Sequence, residues 1–401
     1  MQKNRLNFFF LNIGHLFDHY FVLIFATVAA LALARDWQMS YAELIPYATP
    51  GFIAFGIFAI PAGWIADKWD RQHMMVIFFI GIGLSSIATA MSDTPFQIGL
   101  GLFAIGVFAA IYHPVGLALV VEGHSKTGII LAINGIWGNF GVGVAAAATG
   151  ILIDIMGWRA AFIIPGLIST GIGVIYHIFH RMTQIPQTSE PNKTNSTEYQ
   201  RISDKKHKGN MRHIFSIIFF STAIGGLIYQ STTFALPKVF DERLMDIASS
   251  ATSIGLYALL VFSLAAVSQL VVGYFIDRYP IRYVFSLIAT TQVVFLFCMQ
   301  NITNLNAFII SIILMMAVFG QIPINDVLVA RISTHQWRSR VYAARYLVTF
   351  SAMAITLPLV AWLHNNWGFD ALFLSLSLAA LAMLCAVITL PNKGSIIERS
   401  A

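Results

Sequence analysis

Long apolar runs, separated by short polar or charged stretches, make up most of the chain. Each run is close to the length of about 20 apolar residues that a helix needs to cross a bilayer. Eleven polar breaks leave twelve runs, which we predict to be membrane-spanning helices. The predicted spans are 8–33, 43–66, 74–91, 96–121, 128–154, 158–180, 213–236, 248–276, 283–300, 304–330, 341–363 and 369–390.

The composition supports this interpretation, because 57% of the residues are hydrophobic and only 10% are charged. A soluble protein carries about 25% charged residues, so this chain cannot cover a water-facing surface. The first span is too long for the apolar core of a signal peptide. Cys298 and Cys385 lie far apart in apolar segments and indicate neither a disulfide framework nor a metal site. We expect no cofactor, no metal and no nucleic-acid partner.

The basic residues fall unevenly on the two sides of such a bundle. With the N-terminus inside, 19 of the 24 Lys and Arg residues lie on the termini and even-numbered connections, and four lie on the odd ones. Cytoplasmic loops collect Lys and Arg, so both termini are predicted to be cytoplasmic. The polar, basic stretch 181–212 reads as a flexible cytoplasmic linker. It divides an N-terminal six-helix bundle (1–180) from a C-terminal one (213–401).

Two short echoes suggest that one half duplicates the other. GWIADKWDRQH (63–73) after span 2 matches GYFIDRYPIRY (273–283) after span 8, at a shift of 210 residues. GWRAAF (157–162) matches GFDALF (368–373) at a shift of 211. Chance explains one echo between apolar segments easily, but two at nearly one offset favour a repeated six-span unit.

The first echo resembles the signature loop of the major facilitator superfamily of secondary transporters, Gly-x-Leu-Ala-Asp-Arg-x-Gly-Arg-Lys. The chain keeps Gly63, Ala66, Asp67, a basic Lys68 and Arg71, and it departs at Ile65, Asp70 and Gln72. The resemblance implies the two-bundle fold of that superfamily. It also implies gating loops, in which Asp67 caps span 11 near Arg340 and Asp277 caps span 5 near Gly128. The residues assigned to these loops are Gly63, Asp67, Lys68, Arg71, Gly273, Asp277, Arg278 and Arg340.

A further resemblance concerns spans 4 and 5. AIYHPVGLALV (110–120), NGIWGNFG (134–141) and GWRAAF are similar to the fosmidomycin-resistance branch of the superfamily, which has a His-Pro pair in span 4 and a Gly-Asn-Phe-Gly run in span 5. This likeness implies export. The glycines of span 5 also have a simpler structural explanation, since small residues let two helices pack closely in lipid.

Polar side chains inside membrane spans are costly and usually face a cavity. The superfamily resemblance implies that spans 1, 4, 7 and 10 surround such a cavity. Asp326 and Arg345 could form a structural pair or contact the substrate, and Trp137 could line the cavity or pack in the core. The candidate cavity residues are Tyr112, Asn134, Trp137, Asn139, Tyr229, Gln230, Gln321, Asn325, Asp326 and Arg345.

The run NIGHLFDHYFVLIF (12–25) places His15, Asp18 and His19 on one helical face, at spacing i, i+3 and i+4. Asp18 lies about 15 Å into span 1, near the middle of a core about 30 Å thick. Desolvation favours a neutral carboxyl there, whereas an imidazolium favours the charged form. We therefore predict that Asp18 carries the coupling proton, tuned by His15, His19 and His113. A fixed hydrogen-bonded lock between spans 1 and 4 is the alternative.

These features predict a proton-coupled secondary transporter in a bacterial inner membrane, acting as a monomer on a small polar or anionic compound such as an antibiotic or siderophore. Efflux is the favoured direction, and an uptake symporter for a small organic anion is the alternative. A membrane-embedded enzyme is a distant third, since H-E-x-x-H and G-x-S-x-G motifs do not occur. The sequence does not identify the substrate, the coupling ion or the stoichiometry.

Overall fold

A computed structural model describes residues 2–122, 127–183, 208–332 and 338–391. Within these ranges every regular element is helical. The eleven principal helices, numbered in chain order, are α1 (Gln2–Val28), α2 (Thr49–Lys68), α3 (Arg71–Ala90), α4 (Pro95–Ala109), α5 (Thr127–Met156), α6 (Trp158–Thr183), α7 (Lys208–Arg243), α8 (Ala251–Arg278), α9 (Ile281–Cys298), α10 (Asn304–Ile332) and α11 (Arg338–Ile388).

Shorter helical segments extend three of these helices. The π-helix Ala29–Leu33 and the helix Ala34–Asp36 continue α1. The helix Tyr41–Leu44, which starts at a capping box formed by Ser40 and Glu43, and the 3-10 turn Ile45–Ala48 lead into α2. The π-helix Tyr112–Gly116 and the helix Leu117–Val121 follow α4. The predicted spans 1 to 10 each correspond to one of the resulting helical stretches, so the apolar runs located these helices correctly.

Eleven helical stretches in the described part of the chain are long and apolar enough to cross a membrane. The protein is therefore a multi-pass membrane protein. Large apolar side chains are exposed on the outside of the bundle, among them Ile60 (77% exposed) and Leu167 (59%). In water such a surface would be unfavourable, whereas lipid tails cover it without cost.

Two glycines of the second sequence echo have a positive φ angle. Gly157 has φ +83° and is the single residue between α5 and α6. Gly368 has φ +72° and interrupts α11, which divides it into segments 338–367 and 369–388. Other residues reach this left-handed region only with strain. The predicted spans 11 and 12 lie on the two sides of the Gly368 break.

Glycines bring the helix backbones into direct contact. A Cβ atom at Gly150 of α5 would lie 2.2 Å from the carbonyl oxygen of Ala251 in α8, and one at Gly255 would lie 2.4 Å from that of Ala146. A Cβ at Gly141, also in α5, would lie 2.2 Å from the carbonyl oxygen of Leu16 in α1. The close approach predicted for span 5 is therefore confirmed. Gly135, nearer the start of α5, has open space around its Cβ position.

Candidate functional site

The polar face of α1 lies inside the N-terminal half. Asp18 is 1% exposed and His15 is 7% exposed, and their spacing places both on the side that meets α4 and α5. Burial of a carboxyl at this depth is unfavourable unless a partner compensates it. The partner is an imidazole from the segment after α4.

His113 lies in the π-helix Tyr112–Gly116, and its Nε2 atom is 3.2 Å from Oδ2 of Asp18. The contact is an ion-pair distance without the alignment of a hydrogen bond, so neither oxygen of Asp18 has a hydrogen-bond partner among the described residues. Nδ1 of His113 is likewise buried without one. The proximity predicted for these two side chains is present. Their assignment to proton coupling stays a prediction.

Three imidazoles gather around Asp18. The ring centroids of His15 and His19 are 5.1 Å apart, and the ring of His113 lies 5.5 Å from the first and 5.8 Å from the second. His15 donates from Nδ1 to the carbonyl oxygen of Asn134 at 2.8 Å, because a carbonyl can only accept. Its Nε2 edge packs on Gly138, where a Cβ would lie 2.6 Å away.

A buried hydrogen-bond network joins α1, the π-helix and α5. Tyr112 donates to the carbonyl oxygen of Leu11 at 2.8 Å, and its oxygen accepts from Nδ2 of Asn134 at 2.9 Å. Nδ2 of Asn134 also donates to Oδ1 of Asn12 at 2.9 Å. Tyr112 and Asn134 are fully buried, so their polar atoms serve these internal contacts. Asn12 was missed by the sequence analysis, although an amide three residues before His15 shares its face.

The other candidates of the first half lie nearby on α5. Asn139 is buried, and the Trp137 ring packs edge-on against Phe9 at 6.0 Å. Phe55 of α2 connects the two halves, because its ring lies 5.7 Å from His113 and 5.1 Å from Phe350 of α11. Nothing in the sequence distinguished Phe55 from the other phenylalanines of the chain.

The C-terminal half carries a second polar group. Gln321 accepts from Nε2 of Gln292 at 2.9 Å and donates to the carbonyl oxygen of Ser221 at 3.1 Å. Asn325 accepts weakly from the Ser221 hydroxyl at 3.5 Å. Gln230 is 1% exposed, and its Nε2 atom has no hydrogen-bond partner in the described part of the chain. The Tyr229 ring packs against Phe319 at 5.2 Å.

Asp326 and Arg345 form an ion pair through Oδ1 and Nη1, which links α10 to α11 as predicted. The two side chains differ in exposure, since Arg345 is 9% exposed and Asp326 is 46% exposed. The pair is therefore partly exposed rather than enclosed in the core.

The two signature loops show a matching local geometry. The ammonium of Lys68 lies 4.0 Å from the ring centroid of Trp64, and the guanidinium of Arg278 lies 3.5 Å from that of Tyr274. Asp67 accepts from Nη2 of Arg71 at 2.8 Å. A Cβ at Gly63 would lie 3.2 Å from Pro114, whereas the corresponding position at Gly273 is open.

The distances above lie within each loop and do not include the predicted capping contacts to spans 5 and 11. The side chain of Arg340 lies outside the described residues, so the contact of Asp67 with it stays a prediction. The capping of span 5 by Asp277 near Gly128 stays one as well.

Two groups of side chains in the described residues have the spacing that a metal ion needs, with ligand atoms within 4.8 Å of one another. The first is His15, His19 and His113, in which His113 faces Asp18 and His15 donates to Asn134. The second is Asp70, His73 and His180, at the start of α3 and the end of α6. The second group was not predicted from the sequence.

Comparisons with known proteins identify the family of the chain. The model of the Major Facilitator Superfamily matches residues 9–263 and 218–399. The chain is 22% identical over 289 residues to the gallate transporter of Pseudomonas putida, which covers 66% of this chain and 63% of that protein. It is 26% identical over 178 residues to the tetracenomycin C resistance and export protein of Streptomyces glaucescens, covering 42% of this chain and 32% of the relative. The chain thus spans less than two thirds of the length of these curated relatives.

The fold is shared with a solved structure of a bacterial homolog of the human lysosomal transporter Spinster, in an inward-facing, occupied conformation. The two chains superpose with a TM-score of 0.71 over 97% of this chain and 94% of the other, at 14% identity. At that identity the likeness establishes the fold alone.

Proposed function

Since the chain belongs to the Major Facilitator Superfamily, we propose that it is a proton-coupled secondary transporter that exports a small polar or anionic compound by alternating access. That it is a transporter and not an enzyme follows from the family and from its transporter relatives. Coupling, direction and substrate class are the parts that we add.

For the topology we propose twelve spans with both termini in the cytoplasm of a bacterial cell, in the inner membrane, as a monomer. The break at Gly368 supports twelve spans, because a continuous α11 would be about 77 Å long, more than twice the bilayer core of about 30 Å. The division of 19 basic residues against four supports the orientation. The halves are 1–180 and 213–401, with the linker 181–212 between them.

The observation that carries the coupling proposal is the buried contact of Asp18 with His113. A carboxyl with an imidazole neighbour at 3.2 Å and no hydrogen bond from another described residue has one compensating partner only. Its charge therefore depends on whether that imidazole is protonated and on whether water reaches it. Opening and closing of a cavity changes both, which is the property that coupling to a proton gradient requires.

The substrate class is proposed from the second half. Arg345 forms a partly exposed pair with Asp326, and Gln230 offers a buried amide without a described hydrogen-bond partner. A guanidinium and an amide are suited to carboxylate or phosphate groups. The relatives named for gallate, an organic acid, and for the export of tetracenomycin C agree with an anionic or polar substrate.

The gating proposal assigns the two duplicated loops to closure of the cytoplasmic side. Asp67 and Asp277 occupy matching positions at the ends of α2 and α8. An acid at the N-terminus of a neighbouring helix is favoured by the helix dipole. Contacts of this kind would form in one conformation and break in the other.

Inverted membrane vesicles with a panel of organic anions and antibiotics test the proposal. An exporter should accumulate its substrate in these vesicles when the interior is acidified, and dissipation of the pH gradient should abolish the accumulation. Accumulation only in right-side-out vesicles would establish uptake and overturn the proposed direction. Accumulation that is unaffected by the pH gradient would overturn proton coupling.

A further inference from the structure

A second cluster of titratable side chains lies at the end of the N-terminal half, away from Asp18. Asp70 and His73 begin α3, and His177 and His180 lie in the last turns of α6. The two helices are held close by glycines, since a Cβ at Gly166 would lie 2.7 Å from the carbonyl oxygen of Gly83. This packing brings residues that are about a hundred positions apart in the sequence into one group.

Asp70 and His73 lie about as close together as two ligand atoms that bind one metal ion. Nδ1 of His73 lies 3.0 Å from Oδ1 of Asp70, yet no hydrogen bond forms between them. The same oxygen accepts from the backbone N–H of His73 at 2.7 Å, which caps α3 and fixes the carboxyl group. Two ligand atoms on a tetrahedral Zn²⁺ at about 2.0–2.1 Å are about 3.4 Å apart, close to the distance observed.

The α6 residues complete the set. His180 is 6% exposed, and its ring lies 5.1 Å from that of His73 at 89°. The ligand atoms of Asp70, His73 and His180 all lie within 4.8 Å of one another. His177 precedes His180 by three residues on the same face, its ring lies 6.2 Å from that of His73, and its Nδ1 is buried without a described hydrogen-bond partner. The buried Nδ1 atoms of His73 and His177, which have no described hydrogen-bond partner, are costly, and apolar packing does not require them.

We propose that Asp70, His73 and His180 bind a divalent transition-metal ion, with His177 beside them. Imidazole and carboxylate ligands in a four-coordinate arrangement suit Zn²⁺, and also Co²⁺, whereas Ca²⁺ and Mg²⁺ prefer sites made of oxygen atoms. The site is separate from the transport pathway proposed above. It is therefore independent of the identity of the substrate.

The position of the site gives the ion a regulatory role. Asp70 belongs to the same loop as Asp67 and Arg71, which form their own ion pair at 2.8 Å. An ion bound to Asp70, His73 and α6 fixes this signature loop to the end of the first half. Metal occupancy then restricts the movement of the loop that gating requires.

The full-length protein in lipid nanodiscs, stripped with a chelator, provides the test. The Trp69 ring stacks on His73 at 5.4 Å, so Co²⁺ bound at the site quenches the fluorescence of that tryptophan. We expect one high-affinity Co²⁺ that Zn²⁺ displaces, with quenching that a Trp69→Phe variant loses while calorimetric binding of Zn²⁺ remains. Size-exclusion profiles of every variant report folding.

Three substitutions remove ligands with little change in shape. Asp70→Ser keeps a residue that can cap α3 and removes the carboxylate, and His73→Gln and His180→Gln remove one imidazole each. Each should weaken Zn²⁺ binding at least tenfold, whereas His213→Gln, on α7 outside the cluster, should leave it unchanged. Unchanged affinity in all three variants would overturn the site. Loss of binding in His19→Gln instead would assign the ion to the central histidines and overturn it equally.

Discussion

Asp18 and His113 face each other between α1 and the π-helix that follows α4, with Nε2 of the histidine 3.2 Å from Oδ2 of the aspartate. The side-chain exposure of the two residues differs, at 1% for Asp18 and 23% for His113. The imidazole therefore lies between a buried carboxyl and the more accessible space beyond it.

The first prediction concerns this carboxyl. Asp18→Asn keeps the shape of the side chain and removes its titration, so it should abolish accumulation driven by a pH gradient while substrate binding and substrate exchange remain measurable. Reconstituted proteoliposomes with and without a pH difference provide the measurement. Asp93→Asn, which removes an exposed carboxylate paired with Arg159 at 2.7 Å, is the matched control and should transport normally. Accumulation by Asp18→Asn against a gradient would show that another residue couples the proton.

The second prediction concerns the link between α10 and α11. Because Asp326 is 46% exposed, the ion pair should contribute less than the 3–5 kcal/mol lost when a fully buried pair is broken, or about 1–3 kcal/mol. Thermal melting in detergent of Asp326→Asn, Arg345→Gln and the double variant measures the coupling. The double variant should be more stable than the sum of the single losses implies. The same cycle on the exposed Asp93–Arg159 pair should give about 0.2–1 kcal/mol, and simple additivity at Asp326 and Arg345 would refute the pair.

The third prediction concerns the contact of α5 with α8. Gly150→Ala places a methyl group 2.2 Å from the Ala251 carbonyl oxygen, and since backbone atoms cannot rotate away, overpacking should cost about 1–3 kcal/mol. Gly135→Ala on the same helix meets nothing within 4 Å and should be neutral or stabilising by up to about 1 kcal/mol. Melting temperatures in the same detergent compare the two. Equal effects of the two substitutions would mean that the close approach is absent in the membrane.

The fourth prediction concerns the signature loops. The exposed pair of Asp67 with Arg71 contributes only about 0.3–0.5 kcal/mol to stability, so Asp67→Asn should insert and melt like the wild-type protein. If the aspartates act in gating, Asp67→Asn and Asp277→Asn should nevertheless slow transport. Transport rates normalised to the amount of protein in the membrane test this. Wild-type rates in both variants would remove the gating role.

The fifth prediction concerns the two left-handed glycines. An alanine at Gly157 or Gly368 should lose about 1–3 kcal/mol through backbone strain, because φ is +83° and +72°. Gly171→Ala on α6, where space is open and φ is not positive, is the control. Stability equal to that of the wild type with alanine at both positions would contradict the strain.

The sequence was sufficient to locate the helices, because each span is an apolar run bounded by charged or turn-forming residues. It also predicted the meeting of Asp18 with His113 and of Asp326 with Arg345. In both cases an isolated ionisable group in an apolar segment has few possible partners. Depth in the membrane and the cost of an unpaired charge were enough to predict these two contacts.

Other features depend on tertiary packing and could not be predicted in this way. The π-helix at Tyr112–Gly116 follows from how Pro114 and the Tyr112 hydrogen bonds are accommodated against α1 and α5. Phe55 resembles many other phenylalanines until α2 and α11 are placed side by side. The cluster of Asp70, His73 and His180 escaped notice because its ligands come from two helices that are far apart in the sequence.

The glycine contacts between α5 and α8 also bear on the rate of any movement between the halves. At Gly150 and Gly255 one main chain lies directly on another, so no side chain interlocks the two helices at these positions. A polar contact holds the end of this seam, where Asp154 accepts a hydrogen bond from the backbone N–H of Thr252 at 2.7 Å. If the halves move against each other along α5 and α8, turnover should respond more strongly to substitutions at Asp154 than to apolar substitutions along the middle of α8.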